Sequence, residues 1–181
     1  MLSSLAYFHP SYMSLSTPHP IWLLADSPFE VTKAATVATM LSGRYVTDYH
    51  ARHWSKVNPA GNCQLCMIFG YQATPGHLAH LLLKCPALGN VRSNAVSHWA
   101  AYLVNKPSLL PIISYHTLTP GAEGEALHMN LLQDPSACPR VISTVQEMGS
   151  GILCDLFYMA RTWCYAHHLK RKRLLKLHNI I

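Results

Sequence analysis

The chain has 181 residues, half of them hydrophobic and 12% charged, which is enough to bury one core. No stretch reaches the ~18 uninterrupted apolar residues of a membrane span, and the start lacks the basic residues and long apolar run of a secretion signal. The formal charge of +6 is uneven: residues 1–155 hold eight basic and eight acidic side chains, whereas 156–181 hold six basic ones and no acid.

Residues 1–26 read as an extended lead-in. Pro10, Pro18 and Pro20 break helices there, and Tyr7, Phe8, Tyr12 and Trp22 make it too aromatic for plain disorder. Ser27-Pro28-Phe29-Glu30 is a helix start: Ser27 caps, Pro28 fits the first helical position and Glu30 completes a capping box. Val31, Ala34, Ala35, Ala38 and Leu41 then share a face, and Gly43 suits the end. A short helix is expected over 47–54, and a polar loop over 56–62. After Pro86, a helix over 91–104 carries Val96, Trp99, Ala100 and Leu103 on one side, with a helical turn at 109–113. Residues 117–124 contain Gly and Pro and read as a linker. Short helices follow at 126–132 and 139–147, and Gly149-Ser150-Gly151 breaks the second. Ile152, Leu156, Met159, Trp163 and His167 recur at helical spacing into a basic tail. The indoles of Trp54, Trp99 and Trp163 read as core. The expected fold is mostly α: a helical region 27–116 containing a small metal-stapled module at 63–85, then a helical region 125–181.

That module is the most specific signal. Cys63, Cys66, His80 and Cys85 follow the pattern C-x2-C-x13-H-x4-C. The first pair sets two sulfurs on one tight turn, and a later His/Cys pair closes a tetrahedral zinc site. Pro75, capped by Thr74, can open a helix that runs through Leu83. On such a helix His77 and Cys85 stand about 12 Å apart along the axis, too far for one ion with bonds of about 2.0–2.3 Å. His80 and Cys85 are about 7.5 Å apart and can share a metal if the last turn unwinds before Pro86. The three sulfurs and the imidazole should then lie within about 4 Å of each other. The alternative is three buried free thiols and a packed histidine. Cys138, Cys154 and Cys164 have no ligand spacing and read as small buried hydrophobes, although Cys164 and His168 stand one helical turn apart.

Other chemistry is poorly supported. Metal-dependent cleavage of nucleic acid needs converging carboxylates. The chain has eight, and its close pairs, Asp26/Glu30 and Glu123/Glu125, lie at a helix start and on a loop. Nothing sets an orienting group beside Ser143 or Ser150 and His167, and no phosphate-cradling glycine motif occurs.

From Phe8 onward the sequence resembles the region after the polymerase in animal non-LTR (LINE-like) retrotransposon reverse transcriptases. The strings that carry the resemblance are Tyr12-Met-Ser-Leu-Ser-Thr-Pro-His-Pro-Ile-Trp22, Met40-Leu-Ser-Gly-Arg-Tyr45, Arg52-His-Trp-Ser55, His80-Leu-Leu-Leu-Lys-Cys-Pro-Ala-Leu88 and Arg161-Thr-Trp-Cys-Tyr165. The resemblance implies a zinc-binding domain with Cys63, Cys66, His80 and Cys85 as ligands. It does not bring a polymerase, because the family's aromatic-Ala-Asp-Asp motif is absent. It implies a C-terminal fragment of a mobile-element protein whose whole would be an RNA-directed DNA polymerase.

Two functions of different class follow. In the first, a non-catalytic zinc module assists RNA or DNA binding. Arg44, Arg52, His53, Lys56 and Lys84 flank the module, and Lys170, Arg171, Lys172, Arg173 and Lys176 add a sequence-independent phosphate contact. In the second, zinc only staples a helical piece that packs on a polymerase domain, a reading favoured by the balanced charge of residues 1–155; a relic without function is a further alternative. Paired cysteines without a secretion signal point to a reducing, intracellular compartment. The basic cluster also has the form of a nuclear import signal.

Overall fold

The computed structural model describes residues 20–22, 25–54, 56–148 and 151–180. Among them the chain is mostly helical and has no strand, in line with the periodicity. It divides into two units, each built from two stretches of sequence: 1–44 with 99–165, and 45–98 with 166–181. The division does not fall at the expected linker, since both flanks of 117–124 belong to the first unit. Most of the expected lead-in lies outside the described residues; Pro20–Trp22 is a 3-10 turn.

The first unit opens with α1 (Pro28–Leu41). Ser27 Oγ accepts from the Glu30 N–H at 3.2 Å, and Gly43 takes a φ of 68° beyond the end. The capping box does not close as expected. The Glu30 carboxylate instead meets Lys33 Nζ at 2.6 Å and Arg161 Nη2 at 3.6 Å. Ala34, Val37 and Met40 are buried, while Val31 and Ala35, expected on the core face, are exposed. Helix α5 (Leu110–Leu118) packs on α6 (Gly121–Gln133), so only Thr119 and Pro120 remain of the expected linker. Helix α7 spans Pro139–Met148. Helix α8 (Gly151–Leu177) buries Ile152, Leu156, Met159 and Trp163 in this unit, on the expected stripe. Trp99 Nε1 donates to the Met159 carbonyl at 3.1 Å, and its ring lies 4.9 Å from that of Trp163.

The second unit contains α2 (Asp48–Ala51), α3 (Gln64–Ile68), a π-helical segment His80–Lys84 and a 3-10 turn Pro86–Leu88. It also takes residues 89–98 of α4 (Gly89–Val104) and 166–177 of α8. Thr47 caps α2, its Oγ1 accepting from the His50 N–H at 3.3 Å. The buried line on α4 is Ala95 and Trp99, one turn apart; Val96 and Ala100, expected to face inward, are exposed. Trp54, expected in a core, is 68% exposed. It sits just past the end of α2, where no helical face carries it inward.

Candidate metal centre

Three thiols and an imidazole meet inside the second unit, and local backbone chemistry brings them there. Cys63 caps α3 and Cys66 lies within it, so the two sulfurs share one turn. The following chain doubles back on them. Asn62 bridges Pro75 in antiparallel fashion, the Cys63 N–H donates to the Thr74 carbonyl at 2.8 Å, and the Tyr71 N–H donates to the Cys66 carbonyl at 2.8 Å. Pro75 therefore belongs to this bridge and does not open a helix as expected; the helix begins at Leu78.

The second ligand pair depends on a change of helix type. Five α-helical residues would turn Cys85 well away from the face of His80, at 3.6 residues per turn. Across His80–Lys84 the helix instead widens to the π form, and the Cys85 N–H donates to the His80 carbonyl at 2.7 Å. This five-residue step returns Cys85 over His80. The expected unwinding of the last turn is thus a widening, after which Pro86 takes the chain out.

Cys66 Sγ lies 3.2 Å from His80 Nε2, 3.7 Å from Cys85 Sγ, and Cys63 Sγ lies 3.8 Å from Cys85 Sγ. A tetrahedral ion with metal–sulfur bonds of about 2.3 Å holds its sulfurs about 3.8 Å apart. The four ligand atoms all lie within 4.8 Å of one another, a looser limit than the ~4 Å expected from the bond lengths. All four residues are buried, and the cysteines are free thiols. The donor set and its spacing fit a metal ion. His77 stands outside the group and is exposed. Among the described residues no other His/Cys/Asp/Glu group has this convergence.

The thiols resist ionising together. The Cys63 thiol is pushed up to about 12, first by its hydrogen bond to Cys85 and then by burial. Burial, then the neighbouring Cys63 charge, push Cys66 up to about 11. Cys85 is drawn below its ordinary value by the hydrogen bond it accepts from Cys63. A divalent cation removes this conflict by replacing protons as the shared partner.

A second layer holds the ligands. Arg92 Nη1 donates to the Cys85 carbonyl at 2.7 Å. Asp48 Oδ2 accepts from the Gln64 N–H at 3.2 Å, next to Cys63, while its Oδ1 pairs with Arg171 Nη2 at 2.9 Å. Leu174 and Leu175 join Leu65, Leu81 and Leu88 in the apolar cluster around the sulfurs. Sequence reasoning missed Asp48. The available signal was its isolation as the one acid between Glu30 and Glu123.

The cations expected to touch nucleic acid are distributed unequally. Arg44 is exposed but belongs to the first unit. The second unit gathers Arg52, Lys56, Lys84 and the tail residues Lys170, Arg171, Lys172, Arg173 and Lys176. His53, Lys56, Lys84, Lys172, Arg173 and Lys176 are exposed, Lys170 is half-buried, and Arg52 lies over the Tyr49 ring. Arg171 departs from the expected phosphate contacts because it is committed to buried Asp48.

The remaining cysteines lie apart from the centre. The Cys138 thiol donates to the Asp134 carbonyl at 3.8 Å and that of Cys164 to the Leu132 carbonyl at 4.0 Å; burial pushes each up to about 12. With metal bound, brief alkylation at about pH 8 should modify Cys154, the cysteine that is not fully buried, because the reactive form is an accessible thiolate. Chelation should add Cys63, Cys66 and Cys85, read by peptide mass spectrometry. Rapid labelling of Cys164 in the metal-loaded chain would contradict its burial. No family model, curated protein or solved structure matches the chain.

Proposed function

We propose that the chain is a zinc-stapled nucleic-acid-binding module with no reaction centre of its own, of the kind that follows the polymerase in non-LTR retrotransposon reverse transcriptases. A set of three thiolates and one imidazole suits zinc, whose structural sites are closed, tetrahedral and built from sulfur and nitrogen. Cys63, Cys66, His80 and Cys85 would hold the ion, and its contribution is to fold the unit around it.

The observation that carries the reading is the partition of charge. Residues 45–98 and 166–181 hold nine basic side chains and one acid, Asp48, a net charge of +8 with neutral thiols and histidines. Residues 1–44 and 99–165 hold five basic and seven acidic side chains, a net charge of −2. The balance along residues 1–155 therefore conceals a strongly cationic metal unit. Such a unit attracts a phosphate backbone through counterion release. No polymerase or nuclease step belongs to this reading, since the sequence lacks the aromatic-Ala-Asp-Asp motif and no three carboxylates converge among the described residues.

The test is the salt dependence of binding to a labelled RNA strand, followed by fluorescence anisotropy. Log K should fall linearly with log salt concentration, by about 0.7 per phosphate contact on a single strand. Absence of binding at low salt, with zinc bound, would reject nucleic acid as partner and favour docking on another protein domain.

A further inference from the structure

Tyr49, Arg52 and His77 form a stack at the surface of the metal unit. The Arg52 guanidinium carbon lies 3.4 Å from the Tyr49 ring centroid, and the His77 ring lies 3.7 Å from it at an interplanar angle of 45°. Two groups this close to one ring centre cannot share a face, so Tyr49 is sandwiched between them. Arg52 is further fixed by donating from Nη1 to the Tyr49 carbonyl at 3.0 Å. Gly61, at a φ of 66°, is pressed against the stack; a Cβ there would stand 2.8 Å from Tyr49 Cα and 3.2 Å from Arg52 Cβ. The Gly76 N–H donates to the Gly61 carbonyl at 2.8 Å, so His77 is tied to the same doubled-back chain that carries Cys63. The stack is thus held rigid by the metal loop.

His77 ends this stack, is exposed and belongs to no ligand set. In the turn after α2, His53 and Trp54 are exposed as well. The unit's one carboxylate, Asp48, is 4% exposed and already neutralised by Arg171, so no acid opposes an anion here. Rigid exposed rings beside unopposed cations suit a ligand with flat apolar faces on an anionic backbone. Resting on the nucleic-acid reading above, we infer that His77, backed by Tyr49 and Arg52, takes unpaired nucleobases by stacking. The unit therefore prefers single strands, since a duplex hides its base faces.

Single strands of about twelve nucleotides, RNA and DNA, are compared with a strand of equal length lacking its bases and with a blunt duplex. Each strand is titrated with the full chain loaded with zinc. Base-bearing strands should bind at least about tenfold more tightly than the base-free strand. His77→Ala should remove most of that advantage while leaving zinc content, affinity for the base-free strand and salt slope unchanged. His77→Phe, which keeps a flat ring, should restore it. Equal binding of base-bearing and base-free strands with a normal salt slope would overturn the stacking platform and leave the phosphate reading standing. A preference that survives His77→Ala would overturn the assignment to this stack. Failure of every strand to bind would remove both readings.

Discussion

Replacing Cys85 with serine is expected to empty the metal site and to unfold the second unit. Cys85 contacts both other sulfurs, at 3.7 and 3.8 Å, and it closes the π-helical turn. A serine hydroxyl is not an anion at neutral pH, so the ion loses a ligand and the turn loses its reason to close. Structural zinc in small domains contributes an apparent ~10–16 kcal/mol, and this binding energy is folding energy. Metal analysis should find one zinc per chain before substitution and little after it. His77→Ala should keep one zinc. Zinc lost from His77→Ala but retained in His80→Ala would overturn the ligand assignment. Affinity should also depend on pH. Cys63, Cys66 and Cys85 must each give up a proton to bind as thiolates, so affinity should fall as pH falls below the ordinary thiol range, and acidification should release the ion. Cobalt absorption titrations at several pH values would read the slope.

The cations of the tail should separate into two classes. Neutralising Lys170, Lys172, Arg173 and Lys176 together should leave the fold intact and weaken RNA and DNA binding alike. If all four meet phosphates of a duplex, the salt slope should become shallower by about 3.6. Arg171 should behave differently. Its partner Asp48 is buried, and truncating one member of a buried pair costs roughly 3–5 kcal/mol because the other charge is left alone. Arg171→Ala should therefore lower thermal stability and loosen zinc, with Asp48→Asn and the double variant completing a cycle. Non-additive losses would establish the coupling. An Arg171→Ala chain as stable as the parent, with a reduced salt slope, would return Arg171 to the solvated class.

The parts of this structure that were legible in the sequence obey local rules. Ser27 caps α1, Gly43 ends it, and the stripe from Ile152 to Trp163 is buried, because capping and helical period act over a few residues. The four converging ligands were readable for the same reason, since tetrahedral geometry constrains their spacing. What was not legible depends on distant partners. On α1, Glu30 meets Arg161 across 131 positions, while Val31 and Ala35 point outward against the simple count of apolar positions. Asp48 finds Arg171 across 123 positions, which no window of sequence reveals. The widening at His80–Lys84 is a third case: its residues are ordinary helix formers, and the tie of Pro75 to Asn62 with the demands of the thiols accompanies the departure from α geometry.

The discontinuity of the metal unit sets an order of events during synthesis. All four ligands lie within residues 63–85, so a nascent chain can capture an ion as soon as Cys85 emerges. Arg171, Leu174 and Leu175, which complete the surroundings of the centre, are made only after residues 99–165. At about 5–20 residues per second that interval lasts on the order of seconds. An ion bound early would therefore sit in an open loop where competing chelators can exchange it, and one bound later would sit beneath a closed apolar cover. The C-terminal helix would then act as a latch on metal exchange, its arrival converting a reversible capture into a durable one.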